Sequence, residues 1–315
     1  MQWIEDAWNA VDLPRPVVAT IGNYDGVHRG QRTILDALVE RGRELGLPAT
    51  VITFEPHPLT IIAPERAPRR LLSVTQKRAL LAAAGVECVL EVAFDAAFAR
   101  TAAETFVRDF LVEKLGVREV FVGSSFRFGR GQSGDLALLR GLGGELGFKA
   151  LGMSEEVYAD APISSSRIRQ AVADGEIESA EQMLGRPFAL RGRIVRGERR
   201  GRGLGWPTIN LMPEQEVIPA RGVYVSDVRL GDELEALPAV SNVGVRPTVS
   251  AGTDLVVESH ILNFSADVYG MDAEVTFLRR LRAERAFESV EALSNQIQQD
   301  VERARQFFAE CADNG

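Results

Sequence analysis

Four short stretches of this chain bring together residues suited to phosphate chemistry. Val17–Gln31, VVATIGNYDGVHRGQ, runs an apolar strand through a glycine turn into a helix start bearing a histidine. Gly22 and Gly26 admit backbone conformations closed to most residues. The unpaired amides of a helix beginning near Gly30 would face that turn, and His28 stands where it could donate to a phosphoryl oxygen as charge builds. In Pro162–Gln170, PISSSRIRQ, the residues Ser164, Ser165 and Ser166 precede a helical pattern of Ile168, Ala171 and Val172, so they cap that helix or offer hydroxyls to an anion. Arg167 and Arg169 oppose the helix dipole there, at a cost of roughly up to 1 kcal/mol unless an anion compensates. Gly201–Asn210, GRGLGWPTIN, sets Gly201, Gly203 and Gly205 where backbone amides can approach phosphates. Thr208 and Asn210 follow on one side of an extended strand, neutral oxygens adequate for Mg²⁺ already bound to nucleotide phosphates and weak for a bare ion. Finally, Glu258 in VVESHIL shares a strand face with Val256 and His260, and a buried carboxylate is costly without a role or a partner. Each stretch also has a plainer reading: a serine-capped surface helix, a glycine turn before a threonine strand, an exposed glutamate.

The elements that must position these residues fall into two groups. Apolar runs at 17–21, 49–54, 86–92, 119–122 and 149–152 alternate with helical patterns near 31–45, 75–84, 102–115 and 136–146, which predicts an α/β region with a parallel sheet covered on both faces. Ligands of such sheets gather at the carboxyl ends of the strands. Past Leu184–Pro187 the segments become shorter and alternating, at 189–195, 223–230, 239–243, 256–262 and 273–278, and predict a small antiparallel barrel or sandwich. A closing helix over 289–308 places Val290, Leu293, Ile297, Val301 and Phe308 on one face. The chain length of 315 suits two domains, 1–185 and 186–315.

A net charge of −8 argues against broad nucleic-acid or anionic-membrane binding, and neither region offers a basic stripe with interleaved aromatics. Arg191, Arg193, Arg196, Arg199, Arg200 and Arg202 nevertheless crowd one stretch, suiting either an anionic small molecule or a solvated face. Cys88 and Cys311 form no disulfide framework, the N-terminus has no basic-then-apolar pattern, and no apolar run approaches a membrane span. These features predict a cytoplasmic protein. Self-association into a homo-oligomer is left open by the sequence.

Taken together, the motifs resemble the nucleotidylyltransferase superfamily and, over nearly the whole chain, the bacterial bifunctional flavin enzymes that join riboflavin kinase to FMN adenylyltransferase. GNYDGVHRGQ at 22–31 resembles the family's GxFDGxHxGH, FEPHP at 54–58 its F(D/E)PHP, ISSSRIR at 163–169 its ISSTxIR, and GRGLGWPTIN its GRxxGFPTAN. The resemblance implies a nucleotidylyltransferase-type sheet with an ATP site at Gly22, Tyr24, His28, Gly30, Gln31, Ser164, Ser165, Ser166 and Arg169. It implies an FMN site there at Ser125, Phe126 and Phe128 of GSSFRFGRGQSGD, with His57 either contacting a ligand phosphate or capping a turn. For a β-barrel kinase half it implies ATP at Gly201, Arg202, Gly203, Gly205, Pro207 and Thr208, Mg²⁺ at Thr208 and Asn210, flavin at Arg246 and Thr248 of NVGVRPT, and Glu258 as general base. Riboflavin, FMN and ATP are then the small-molecule partners, with Mg²⁺ accompanying ATP and FAD as the final product.

Three positions depart from the family pattern in the first half: Tyr24 replaces phenylalanine, Ser166 replaces threonine, and Gln31 replaces a second histidine. The first two keep ring and hydroxyl, but Gln31 cannot become a cation. Ser125 likewise stands where an acidic or amide residue is usual, and Phe126 and Phe128 could simply be core. Two other readings follow, a riboflavin kinase whose first half has lost adenylylation and a flavin or nucleotide sensor without turnover.

Overall fold

The computed structural model describes residues 1–197, 205–231, 233, 235–247 and 253–313. The chain divides into two compact units, Met1–Pro68 with Val74–Ser164, and Arg69–Ser73 with Ser165–Gly315.

The first unit is built on six parallel strands: β1 (Gln2–Ile4), β2 (Val18–Ile21), β3 (Ala49–Glu55), β4 (Cys88–Ala93), β5 (Glu119–Gly123) and β6 (Lys149–Met153), in the order β1-β4-β3-β2-β5-β6. All five predicted strands are present, each starting or ending a residue or two from its expected bounds. β1 escapes sequence reading because three residues are too few to show a period. Helices α1 (Arg29–Leu45), α2 (Pro58–Ile62), α3 (Val74–Ala83), α4 (Ala103–Thr105) and α5 (Leu136–Leu146) connect the strands, and a short antiparallel pair, β7 (Val157–Tyr158) and β8 (Ala161–Pro162), follows β6. β2 is buried along its whole length, as a strand between two helical layers must be. Strand order reverses at β2, whose neighbours are β3 and β5, so the crevice beyond the carboxyl ends of β2 and β5 is the topological switch point. GNYDGVHRGQ leaves β2 and GSSFRFG leaves β5, which brings the two predicted ligand segments of this unit to that crevice.

The helix expected over 102–115 is α-helical for one turn only and continues as a π-helix, Phe106–Lys114. Its buried residues Phe106, Val107, Phe110 and Leu111 lie in adjacent pairs, and Phe106 and Phe110 stack on Trp8 at 6.4 and 5.4 Å. On the opposite side of the sheet, Arg41 of α1 grips Glu119 of β5 through two hydrogen bonds of 2.8 Å. These bonds hold the nearly buried Glu119 carboxyl below its ordinary range. A depressed carboxylate contributes stability that is present above its unfolded pKa and lost as pH falls through the folded one. Glu119→Gln is therefore expected to lower Tm at neutral pH and to flatten the acid limb of the Tm–pH profile.

The second unit opens with α6 (Ser165–Asp174) and α7 (Ile177–Leu184) and continues into a closed antiparallel barrel. The barrel strands are β9 (Phe188–Val195), β10 (Ile209–Pro213), β11 (Gly222–Leu230), β12 (Leu237–Pro247), β13 (Thr253–Ile261) and β14 (Asp272–Ala283), in the order β10-β13-β12-β11-β14-β9. A barrel rather than a sandwich results because β9 also pairs with β10, leaving no edge. Tyr224, Val228, Val243, Val275 and Phe277 fill the interior, together with a buried hydroxyl chain of Ser226, Ser241 and Ser259 at 2.7 and 2.6 Å.

The closing helix α8 (Val290–Asp313) covers Val223, Val225 and Val240 on the outer face of the barrel. Its face differs from the expected one. Val290 is exposed, Val301 is buried as predicted, and the polar Gln296 and Asp300 are buried too. Asp300 can be buried because Arg282 of β14 bonds both its oxygens at 2.8–3.2 Å and Gln296 donates to it at 2.9 Å. Removing one member of a buried ion pair costs about 3–5 kcal/mol. Asp300→Ala is thus expected to loosen α8, read as faster amide exchange across 290–313 and a lower unfolding midpoint.

Candidate active sites

In the first unit, the turn after β2 is held by backbone conformations uncommon for side-chain-bearing residues: Tyr24 has φ +50° and Val27 has φ +43°, with Gly26 at +111° between them. A β-branched residue in that region is strained, a cost of order 1–3 kcal/mol borne at functional loops. Tyr24 drives its ring into the core and shares a 2.7 Å hydrogen bond with Thr20, so its added hydroxyl is absorbed internally. His28 is the N-cap of α1 and is 8% exposed. Its Nδ1 accepts from the Gln31 amide at 3.3 Å, while the Gln31 carboxamide oxygen accepts from the His28 amide at 3.2 Å. No acidic residue occupies the first turn of α1, and the Glu156 carboxylate that lies against it is engaged by Arg29 at 3.5 Å and by the Thr33 hydroxyl at 3.2 Å.

His57 caps α2, its Nδ1 accepting from Leu59 N at 3.2 Å, and its Nε2 lies 2.9 Å from the Asn23 carboxamide. The turn-capping reading is the one its geometry displays. Phe128 is core, stacked 5.5 Å from Phe126 and tilted against Phe106 at 6.0 Å, whereas Phe126 is half-buried and Ser125 exposed. Gly134 has no room for a side chain, since a Cβ would come within 2.6 Å of the Phe128 ring and 2.8 Å of Ala103. Ser164 ends the first unit.

In the second unit, Ser165 and Ser166 open α6, which buries Ile168, Ala171 and Val172 as their spacing predicts. Arg169 donates Nε–H to the Arg69 carbonyl at 2.7 Å. Among the described residues, two cavities of the barrel share Thr208. One, of about 360 Å³, is walled by Gly197, Pro207, Thr208, Asn210, Asp267 and Tyr269. The other, of about 660 Å³, lies between the outer barrel face and the 284–301 segment, walled by Trp206, Thr208, Asn242, Glu258, His260 and Arg282. Register aligns Asn210 of β10 with Glu258 of β13, and Glu258 with Asn242 of β12. Paired residues share a face, so a polar row crosses three strands from the smaller cavity to the larger. The burial of Val257, Ser259 and Ile261 shows that Glu258 and His260 face away from the barrel interior. His260 donates Nδ1–H to the Pro207 carbonyl at 2.8 Å and meets the Trp206 ring edge-on at 5.3 Å, fastening the Trp206–Thr208 segment against β13.

Gly205, Pro207, Thr208, Asn210 and Glu258 are therefore gathered around these cavities or beside them. Gly201, Arg202, Gly203 and Thr248 lie outside the described residues, as do Arg199 and Arg200; Arg246 is placed only by its backbone, opposite Asp254. The described members of the arginine cluster are engaged within the chain: Arg191 with Asp272 at 3.4 Å, Arg193 with the Gly270 carbonyl at 3.0 Å, and Arg196 over the Tyr269 ring at 5.5 Å. Sequence reasoning missed Asn242 and Arg282 as cavity walls. Arg282 lies with Arg279 and Arg280 in a stretch whose composition is that of a solvated basic strand end, and the buried Asp300 that engages it stands on α8, distant in sequence.

Among the described residues, no cluster of His, Cys, Asp or Glu has the makings of a metal site, and no helix is long and apolar enough to cross a membrane. Residues 11–167 match the FAD synthetase family model and residues 184–308 match the riboflavin kinase model. A bifunctional riboflavin kinase/FMN adenylyltransferase of Escherichia coli strain K12 is 44% identical over 98% of both chains. One of Pseudomonas fluorescens is 38% identical over 99% of both. A crystal structure described as a macrolide-efflux protein from Streptococcus pneumoniae superposes with a TM-score of 0.85 at 29% identity, covering 96% of this chain and 98% of that one. With both halves matched in order and relatives aligned end to end, the chain belongs to the family of bifunctional riboflavin kinase/FMN adenylyltransferases.

Proposed function

We propose the following division of labour for a chain that makes FAD in two steps. The barrel half, 186–315, phosphorylates riboflavin to FMN with ATP, and the first half, 1–185, transfers the adenylyl group of a second ATP to FMN and releases pyrophosphate. The observation that carries the kinase assignment is the polar row Asn210, Glu258, Asn242 spanning two cavities that meet at Thr208. An alcohol held in the larger cavity and a triphosphate held in the smaller one would meet at that residue. Glu258 accepts the ribityl hydroxyl proton as the oxygen attacks the γ-phosphorus and ADP departs. Gly201, Arg202, Gly203, Gly205 and Pro207 are assigned to the nucleotide, and Arg246 and Thr248 to the flavin, on the family motif.

In the adenylylating half, an FMN phosphate oxygen forms a bond to the α-phosphorus of ATP as the bond to pyrophosphate breaks. The phosphate is already ionised near neutral pH, so alignment and charge neutralisation supply the rate, and no base or covalent intermediate is needed. His28, Gly22, Gly30 and the amides of α1 are assigned to ATP phosphates, with Tyr24 contributing its backbone. Ser164, Ser165, Ser166 and Arg169 are assigned to ATP by motif, and Phe126, Ser125 and His57 to the flavin side, with Phe128 supporting Phe126 from the core. Homologues bearing both names along their full length favour this reading over a chain retaining only the kinase.

Mg²⁺ fits the kinase half as a companion of ATP. Asn210 is 4% exposed on the cavity wall, and its carboxamide occupies the space that a side chain at Gly197 would fill. Two neutral oxygens suit an ion that arrives with phosphate ligands, and there it would neutralise charge on the nucleotide. In Gly197→Ala the new Cβ would fall 2.4–2.6 Å from the Asn210 carboxamide, which must swing away. FMN formation by this variant is expected to need about tenfold more Mg²⁺ for half-maximal rate, measured by titrating Mg²⁺ at fixed ATP. The buried Cys88 and exposed Cys311, both free thiols, support a cytoplasmic location. The whole reading is tested by following riboflavin, ATP and Mg²⁺ over time by chromatography. FMN must precede FAD, with pyrophosphate formed in step with FAD; absence of FAD from supplied FMN would remove the second activity.

A further inference from the structure

We propose that Gln31 acts on His28 rather than on the nucleotide: its backbone amide, which bonds the ring, and its carboxamide, which bonds the His28 amide, form a reciprocal cap that holds the imidazole with its proton on Nε2. The inference rests on the assignment of His28 to ATP phosphates. An imidazole nitrogen that accepts an N–H bond must present a lone pair, so the Gln31 amide at Nδ1 leaves the neutral ring its proton on Nε2. The Gln31 side chain supplies the other half by turning its oxygen back onto the His28 amide, which fixes the backbone that carries the ring. An oxygen engaged there faces the chain. The Cε1–Nδ1 edge of the ring lies 3.5 Å from where a Cβ on Gly30 would be, so the ring rests within ordinary contact distance of that glycine. The family pattern has a second histidine at this position, and the present chain replaces a potential cation with a group that orients the first histidine. Gln31 is thus a positioning residue.

Both activities of the full-length chain can be read in one preparation, with FMN formation as the internal control. In Q31M the acceptor is gone, and kcat for FAD formation is expected to fall about tenfold with KM for ATP within twofold and FMN formation unchanged. Side-chain ¹⁵N shifts of His28, one of three histidines to assign, are expected to move from a single Nε2–H tautomer in the wild type to a mixture in Q31M. Q31E retains an acceptor and cannot donate, so it is expected to keep the single tautomer and a higher kcat than Q31M. Three results would overturn the inference: Q31M with wild-type kcat and His28 shifts, Q31M with raised KM for ATP at unchanged kcat, or Q31E with the mixed-tautomer spectrum. Undiminished FAD formation by His28→Asn would instead remove the assignment on which the inference stands, whatever the Gln31 variants do.

Discussion

Glu258→Gln is expected to reduce kcat for FMN formation by about a thousandfold while leaving FAD formation from supplied FMN unchanged. A positioned general base is worth roughly 10²–10⁴ in rate, and glutamine keeps the size and polarity of the side chain while losing the ability to take a proton. Register puts Glu258 between Asn210 and Asn242 on the outer barrel face, with one cavity beside each neighbour. Because the substituted amide can still hydrogen-bond, KM for riboflavin and for ATP should move little, so the loss appears in kcat. The measurement is a chromatographic rate of FMN and ADP appearance at saturating substrates. A kcat within tenfold of wild type would assign proton acceptance to another group or to water, and an equal loss of FAD formation would indicate damage to the fold rather than to the chemistry.

The parts of this molecule legible in its sequence are those fixed by local pattern. Val18–Ile21 is recognisably a buried parallel strand because each of its side chains is apolar or β-branched, and α1 announces itself through the helical spacing of Ile34, Leu35, Leu38 and Leu45 behind a glycine turn. Motif order singles out His28, Thr208 and Glu258 as candidates, since each stands at a helix start, at a strand end or on a strand face that the pattern also defines. What escaped depends on partners far apart in the chain. The π-helical stretch answers to packing of Phe106 and Phe110 against Trp8, and the burial of Asp300 answers to Arg282 on another element. Arg279, Arg280 and Arg282 have the composition of a solvated strand end, yet Arg279 covers the Phe307 ring at 4.6 Å and Arg280 ties the Asp174 and Arg221 carbonyls. The same limit explains Gln31, whose type announces the loss of a charge but whose reciprocal bond with His28 is visible only in three dimensions.

His28→Asn separates the two things that His28 does. Asparagine is among the best N-cap residues, so the start of α1 and the stability of the first unit should be retained, with Tm close to wild type. The imidazole donor is lost. Removing one preorganised donor to a developing oxyanion costs about 10²–10³ in kcat, or ~3–4 kcal/mol. Pyrophosphate release from ATP and FMN is therefore expected to fall by a few hundredfold in kcat, with riboflavin phosphorylation by the same preparation unchanged. Adenylyl transfer here needs no base, because the attacking phosphate oxygen is already charged; the loss must then be independent of pH across the neutral range, a distinction from a proton-transfer role that a rate–pH series would read directly. If KM for ATP rose with kcat intact, His28 would be binding the ground state and the transition state alike, and the donor that discriminates between them would have to be sought among the amides of the α1 first turn.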